Sequence, residues 1–258
     1  MGAETYESDV NVDGQATPAS RVALVTGGSR GIGAEVARLL AEEGFHVLVN
    51  YREKAKRANA VVDAIRAAGG QASIAGADVC DDAQVETLMA SIASGFGWLD
   101  LLVLNASGGL ERGADPGYAM RLNRDAQLRL VELAVPLMRP GGRIVFVTSH
   151  QAHFYPDKPV PDGYEPIAQS KRAGEDALLE IKPALAQRGI DLKVVSGDMI
   201  EGTIIVRLLH RRDPTAVDTR REQAPLPTIE EFAAEITRAA VQSDAPAMTY
   251  VGGADYLT

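Results

Sequence analysis

The eight residues TGGSRGIG, from Thr26 to Gly33, lie between two apolar segments and decide how the chain folds around them. The segment before them, 22–25, is short and rich in β-branched residues, which predicts a buried strand. After them, apolar residues recur at i, i+4, i+7 and i+8 from Ile32, the spacing of one face of a helix. The stretch is therefore predicted to turn the chain from a strand into a helix.

The glycines of this turn indicate a ligand. Glycine adopts positive φ angles and lets a ligand approach the backbone closely. The first N–H groups of the following helix, and the positive end of its dipole, favour a phosphate group there. The spacing is G-x-x-x-G-x-G rather than the G-x-G-x-x-G of the common dinucleotide fingerprint, so a tight turn without a ligand is the alternative.

The overall composition argues against several classes of protein. Hydrophobic residues make up 46% and charged residues 24% of the 258 positions, which is typical of a soluble globular protein. A net charge of −9 argues against nucleic acid or an anionic membrane as a partner. The single cysteine, Cys80, allows no intrachain disulfide or thiolate cluster, and we predict no metal site. Because no apolar run reaches about 20 residues, no membrane-spanning helix is predicted.

The first 20 residues differ from the rest of the chain. They carry four acidic side chains, Glu4, Glu7, Asp9 and Asp13, and lack the basic start and apolar core of a secretory signal. We predict that 1–20 is a flexible tail and that the protein is cytoplasmic.

From residue 21 onward, strand and helix patterns alternate. Strands are predicted at 22–25, 46–50, 72–77, 99–104, 143–148, 191–195 and 248–251, and helices at 54–68, 118–138, 166–187 and 228–241 among others. Pro183 is expected to kink or split the helix that contains it. This alternation predicts an α/β fold with three layers: a Rossmann-like, doubly wound parallel sheet with helices on both faces, forming one domain over 21–258.

The segment 197–227 interrupts the alternation, and we predict that it is long and irregular. It contains three prolines and six basic residues, namely Arg207, His210, Arg211, Arg212, Arg220 and Arg221. Such a segment is either a lid that contacts an anionic ligand or a solvated basic helix and loop.

Several motifs, in the same order along the chain, resemble the short-chain dehydrogenase/reductase family. The turn 26–33 is similar to its T-G-x-x-x-G-x-G cofactor loop, Asp78-Val79 to its adenine contact, and the segment 104–108, LNASG, to its N-N-A-G. The resemblance implies an NAD(P)-binding oxidoreductase. The cofactor contacts that we predict are Gly27, Ser29, Arg30, Gly31, Ile32, Gly33, Asn50, Tyr51, Arg52, Asp78, Val79, Asn105, Ala106, Ser107, Lys171 and Gly197.

The resemblance also implies a set of catalytic residues, with one departure. Asn123 corresponds to the asparagine that holds a proton-relay water, Ser149 to the serine that ends the fifth strand, and Lys171 to the lysine of Y-x-x-S-K. In the family, the tyrosine of that motif protonates the substrate oxygen, the lysine lowers the pKa of the tyrosine, and the serine holds the same oxygen. In this chain the tyrosine position is Ile167, which has no proton to donate.

A substitute donor could come from the loop that precedes Ile167. Tyr164 is our predicted substitute, and together with Ser149, Lys171 and Asn123 it completes the predicted catalytic set. On one helix, Tyr164 and Lys171 would share a face about 10 Å apart, but Pro166 favours a position for Tyr164 in the loop before the helix. Other polar side chains that could assist as donors are His150, His153 and Tyr155.

The end of the second strand predicts which cofactor binds. NAD-binding folds of this kind carry a carboxylate there, on the ribose 2′-OH. Here the sequence is Asn50-Tyr51-Arg52, with no acid before Glu53, and Arg30 lies in the glycine turn. Because guanidinium groups pair with phosphate, we predict NADP(H).

The missing tyrosine bears on the substrate. A ketone that gains a hydride needs a proton at once, whereas an iminium C=N⁺ becomes a neutral amine without one. We therefore predict reduction of a small-molecule C=O group or, preferably, of a C=N group formed from a hemiaminal, by a homodimer or homotetramer. The alternatives are a non-catalytic NADP-binding sensor or partner protein and a non-redox lyase or cyclase on the same scaffold.

Overall fold

The computed structural model describes residues 21–109, 115 and 117–253, and this part of the chain forms one parallel sheet. Its seven strands are β1 (Arg21–Val25), β2 (Phe45–Tyr51), β3 (Gln71–Gly76), β4 (Leu99–Leu104), β5 (Met138–Ser149), β6 (Asp191–Gly197) and β7 (Met248–Val251). They lie in the order β3-β2-β1-β4-β5-β6-β7. The order reverses between β1 and β4, the point at which doubly wound sheets bind ligands.

Ten α-helices connect or flank these strands in the described residues. They are α1 (Gly31–Glu42), α2 (Ala55–Ala67), α3 (Asp82–Gly95), α4 (Tyr118–Met120), α5 (Ala126–Ala134), α6 (His150–His153), α7 (Glu165–Gln187), α8 (Ile204–Arg212), α9 (Pro214–Gln223) and α10 (Ile229–Val241). A π-helical turn, Arg121–Asp125, joins α4 to α5, and a 3₁₀ turn, Val135–Leu137, leads into β5.

The sheet is covered by helices on both faces, which confirms the predicted fold class. In β1, Leu24 packs in the apolar core beside α3, α5 and α7, while its neighbour Val25 packs in the core beside α1, α2 and α10. Side chains alternate across a strand, so a strand buried on both faces must be apolar at nearly every position. This explains why 22–25 reads as an unbroken apolar run.

Two predicted helices differ from the observed ones. The helix predicted at 118–138 contains the π turn and ends where β5 begins, at Met138, so β5 is longer than predicted. Pro183 lies inside α7 without ending it. The apolar face of α7 packs on the sheet on both sides of that position, through Leu178 and Leu185, which stabilises the helix beyond what its propensity alone would give.

The prediction that 197–227 is irregular is wrong, because α8 and α9 fill most of it. Each helix has a side-chain cap at its start: Thr203 Oγ1 accepts from the backbone N–H of Val206 at 3.3 Å, and Asp213 Oδ1 from that of Ala216 at 3.0 Å. The helix α10 begins with a capping box, in which Thr228 Oγ1 accepts from the backbone N–H of Glu231 and the side chain of Glu231 accepts from that of Thr228.

The predicted tail, 1–20, lies outside the described residues. Among the helices that the structure describes, we find none with the length and apolar character needed to cross a membrane.

Candidate functional site

A cavity of about 790 Å³ opens at the carboxyl ends of the central strands. It brings together the glycine turn, the ends of β2, β4 and β5, the start of α7 and one side of α8. Of the predicted site residues, those that line it are Gly27, Ser29, Arg30, Gly31, Ile32, Gly33, Asn50, Tyr51, Arg52, Asp78, Val79, Asn105, Ala106, Ser107, Ser149, Tyr164 and Lys171. Asn123 and Gly197 are not among the lining residues.

The glycine turn leaves space for a ligand at one position and none at another. Gly27 and Gly31 have φ angles of +63° and +54°, in the left-handed region. A Cβ on Gly33 would lie 2.5 Å from the carbonyl oxygen of Gly27, whereas a Cβ on Gly31 would meet nothing within 4 Å. The turn is therefore packed tightly behind Gly33 and open above Gly31, at the start of α1, where a pyrophosphate would fit.

Three polar side chains hold the backbone of this wall. Thr26 Oγ1 accepts from the N–H groups of Asn105 and Ala106 at 2.9 and 3.0 Å. Asn105 Nδ2 donates to the carbonyl of Thr26 at 2.9 Å. Asn50 Oδ1 accepts from the N–H of Gly27 at 3.3 Å, and its Nδ2 donates to two backbone carbonyls of the β3 edge. The amides of Asn50 and Asn105 thus position the backbone around the cavity.

The end of the cavity near β2 is rich in cations. Arg52 is half-exposed, donates to the hydroxyl of Tyr118 at 2.7 Å and pairs with Glu53 at 3.1 Å. Other basic side chains that line the same cavity include Arg30, Lys54 and Arg57. A phosphate group at this end would find several guanidinium and ammonium donors.

Tyr164 reaches the cavity from the residue just before α7. It is 3% exposed, and its hydroxyl lies 3.5 Å from Ser149 Oγ. Burial raises the pKa of Tyr164, and the hydrogen bond with Ser149 opposes that rise. Its position immediately before the helix is the one that Pro166 predicts.

Ile167 belongs to an apolar cluster instead. It is buried with Tyr164, Ala168 and Met199, and a Cβ added at Gly109 would lie 2.6 Å from its Cδ1. Ile167, four residues before Lys171, therefore packs inside the protein, whereas Tyr164, three residues before Ile167, lines the cavity.

Lys171 is partly buried in the cavity wall on α7. Burial lowers the pKa of Lys171 to about 8, while the carboxylate of Glu175 acts to raise it. Lys171 is thus mostly charged at neutral pH, and its charge is sensitive to what surrounds it.

Asn123 is not among the residues that line the cavity, and other groups of the protein bind its whole side-chain amide. Its Nδ2 donates to the carbonyl of Gly108 at 3.1 Å and to Ser170 Oγ at 3.0 Å. Its Oδ1 accepts from Ser107 Oγ at 2.9 Å. The side chain ties the π turn to α7 and to the loop after β4.

Gly197 and the two histidines also lie away from the cavity wall. A Cβ on Gly197 would lie 2.7 Å from the ring of Phe232, so this glycine serves close packing. His150 Nε2 donates to the carbonyl of Gly252 at 3.0 Å, its Nδ1 lies 2.8 Å from Ser196 Oγ, and burial lowers its pKa. His153 Nδ1 lies at hydrogen-bond distance from Glu175 Oε1. Neither His150 nor His153 is among the residues that line the cavity.

The sequence reasoning missed the residues that follow β6. Asp198 lines the cavity and forms a buried ion pair with Arg220 of α9, its Oδ2 lying 2.8 Å from Nε. Apolar residues of this region complete the wall, namely Met199, Ile200, Ile204, Ile205 and Leu208. Their place directly after a strand near the switch point was the available signal.

Comparison with known proteins identifies the family. Residues 21–212 match the family model described as short chain dehydrogenase. The hydroxynaphthalene reductase arp2 of Aspergillus fumigatus is 39% identical over 137 residues, which make up 50% of this chain and 50% of that protein. The matched region therefore spans about half the length of such curated relatives.

Solved structures are similar over a larger share of the chain. The angucycline C-6 ketoreductase LanV with bound NADP has a TM-score of 0.75 at 26% identity, covering 90% of this chain and 93% of its own. A short chain dehydrogenase from Burkholderia cenocepacia in complex with NADP has a TM-score of 0.77 at 29% identity, covering 94% and 100%.

Proposed function

Because the chain belongs to the short-chain dehydrogenase/reductase family of NAD(P)-dependent oxidoreductases, we propose that it is an NADPH-dependent reductase of a small-molecule C=O or C=N bond. The observation that carries this proposal is the hydroxyl of Tyr164, 3.5 Å from Ser149 Oγ, in the cavity that also contains Lys171. A phenol, a hydroxyl and an ammonium group thus surround one space beside the cofactor wall.

The residues present fit NADP(H). The open cradle above Gly31 would hold the pyrophosphate, Arg52 and Arg30 the 2′-phosphate, and Lys171 the nicotinamide ribose. The two solved structures compared above contain bound NADP. When bound, NADPH supplies the hydride, and the protein must orient the acceptor and manage its charge.

Tyr164 is suited to donate a proton to a developing alkoxide. Because its pKa is raised, the phenol is neutral at physiological pH and carries the proton that an oxygen would take. Ser149 can donate to the same oxygen, and the charge of Lys171 favours negative charge nearby. The structure therefore favours a carbonyl substrate more than the sequence does.

A C=N substrate is the second candidate, and Ile167 favours it. In the family the lysine lowers the pKa of the tyrosine, but here burial raises that of Tyr164, which makes it a weaker acid. An iminium needs no proton after reduction, so a weak donor would not slow it. The sensor alternative requires no proton donor beside Ser149, and the paired hydroxyls argue against it.

Replacement of Tyr164 tests the proposal. We would follow oxidation of NADPH with a panel of apolar ketones and cyclic imines, for the parent protein and for Tyr164→Phe. We expect ketone turnover to fall about 10²-fold or more in the variant, the range for loss of a general acid. Tyr155→Phe is the matched control, because the hydroxyl of Tyr155 bonds Glu165 outside the cavity.

The outcomes separate the candidates. Loss of ketone turnover in Tyr164→Phe alone supports the carbonyl reductase, and imine turnover that is unchanged in both variants supports the iminium reductase. Cofactor binding without turnover of any substrate would favour the sensor, and a product of unchanged oxidation state the lyase.

We also propose that the protein works as a cytoplasmic homodimer or homotetramer. Apolar side chains of α5 and α7 remain partly exposed, among them Leu128, Leu133 and Leu179. Light scattering of the purified protein would give its mass, and a monomer would contradict this part of the proposal.

A further inference from the structure

A line of polar side chains connects the back of the cavity with the outside of the protein. Glu175, one helical turn after Lys171 on α7, is fully buried. Its Oε1 lies 2.6 Å from Nδ1 of His153, whose Nε2 lies 3.0 Å from the hydroxyl of Tyr250. Tyr250 is 39% exposed.

The second oxygen of Glu175 is the unusual part of this line. It is buried and has no hydrogen-bond partner among the described residues. Leaving a buried carboxylate oxygen unpaired destabilises the folded protein, so a structural role alone does not account for it. Lys171 lies one helical turn earlier on α7 and lines the cavity, and the charge of Glu175 acts to raise the pKa of Lys171.

Asn123, which the resemblance implies as the holder of a relay water, is packed closely by other groups. Both hydrogens of its side-chain amide are used by Gly108 and Ser170. A Cβ added at Gly174 would lie 2.1 Å from the backbone carbonyl of Asn123, so α7 lies directly against that oxygen. On the side of α7, the backbone carbonyl of Asn123 is therefore in close contact with the helix.

We propose that Tyr250, His153 and Glu175 transfer protons between solvent and Lys171. The proposal rests on the reductase function, since each reduction of a carbonyl consumes one proton. Tyr250 takes a proton from water as it gives its own to Nε2 of His153, and Nδ1 gives one to Oε1 of Glu175. After the carboxyl group turns, it protonates the neutral amine of Lys171. No electrons are transferred, and one solvent proton enters for each proton delivered.

Other charged groups also face this line and set its pH dependence. Arg172 of α7 donates to the backbone carbonyl of His153 at 2.5 Å and pairs with Asp176. From α6, His150 also interacts with this line. The charges of His153 and Arg220 lower the pKa of His150, and that of Asp198 raises it.

Labelling of Lys171 in the cofactor-free protein tests its link to Glu175. Competitive acetylation with acetic anhydride, read by mass spectrometry, measures how much of the lysine is the reactive free amine. In Glu175→Gln the loss of the negative charge lowers the pKa of Lys171 further, so its acetylation at pH 7 should become at least about twofold faster. Asp176→Asn, exposed on the same helix, is the control. An unchanged rate in a folded Glu175→Gln protein would overturn the proposal.

Turnover tests the outer part of the line. We expect His153→Ala and Tyr250→Phe to lower kcat about tenfold with little change in KM, and added imidazole to restore much of the loss in His153→Ala. A purely structural role would change melting temperature and KM and would not respond to imidazole. His210→Ala, outside the cavity, is the control. Unchanged kcat in both variants, or a loss without rescue, would overturn the proposal.

Failure of the proposed function gives a different result. If the parent protein reduces no ketone or imine, the reductase proposal fails, whereas the labelling still decides whether Glu175 acts on Lys171.

Discussion

The two sides of the cavity are built by different means. On the cofactor side, formed by 26–33, 50–57 and 105–107, backbone conformation and hydrogen bonds to backbone groups set the shape. On the substrate side, formed by 149–171 and 198–223, side-chain contacts set it, such as Tyr164 beside Ser149 and the pair Asp198–Arg220. A wall shaped by backbone groups depends on a few consecutive residues, so it can be recognised as a local sequence motif. A pocket shaped by side chains from distant segments has almost no such motif.

Removal of the ion pair under α9 should give the largest effect. In Arg220→Met, the buried carboxylate of Asp198 loses its positive partner, and breaking a buried pair in this way costs about 3–5 kcal/mol. Urea unfolding would measure the loss. Arg221, the next residue, forms solvent-exposed ion pairs with Glu201 and Asp218. Arg221→Met should therefore lower the free energy of unfolding by less than about 1 kcal/mol. Equal free energies of unfolding for Arg220→Met and Arg221→Met would contradict this difference between the buried and the exposed ion pairs.

Two glycines of the turn should respond differently to alanine. Gly33→Ala forces a Cβ against the carbonyl of Gly27 and should cost about 1–3 kcal/mol of folding stability. Gly31→Ala meets only open space and should chiefly weaken NADPH binding, with about 1 kcal/mol of backbone strain. Thermal unfolding and calorimetric titration with NADPH separate the two. Similar affinities for parent and Gly31→Ala would show that no phosphate group lies there.

Arg52→Gln should narrow the preference for NADPH over NADH. Loss of a charged hydrogen bond to a phosphate costs about 1.5 kcal/mol, so we expect a change of about tenfold in the ratio of the two dissociation constants. Arg38→Gln, whose guanidinium pairs with Glu35 on α1, is the control. If Arg52→Gln leaves the ratio of the two dissociation constants unchanged, another basic side chain near β2 must distinguish NADPH from NADH.

The pH dependence of turnover should follow Lys171 and is the smallest effect expected. Burial lowers its pKa to about 8, so the lysine is charged below that pH and neutral above it. If the charged form is the active one, kcat/KM falls as pH rises, by roughly fourfold at pH 8.5 relative to its neutral plateau. Initial rates between pH 6 and 9 would measure this. A rate that rises over that range would contradict the role of the charge.

The fold and the cavity wall around the glycine turn could be predicted from the sequence because their signals are local. Hydrophobic periodicity, capping residues and the glycine turn each act over a few residues, and they give the strands, most helices and the shape near Gly31. Asn123 and Gly197 entered the predicted set by resemblance alone, and the sequence did not predict their contacts with distant segments, at Ser170 and Phe232. Asp198 with Arg220 could not be predicted, since the pair depends on how α9 folds back.

The ion pair Asp198–Arg220 also distinguishes two parts of the substrate side, a rigid one and one that can adapt to a substrate. It ties α9 to the end of β6, while α8, between Gly202 and Asp213, has no buried ionic contact among its described side chains and exposes Ile204 at the cavity. The end of α8 that exposes Ile204 can thus adapt to a wider molecule more easily than Val206 and Leu209, which pack in the apolar cluster that contains Tyr164. We expect strict selection at the reacting end of a substrate and tolerance of varied apolar shapes at the other.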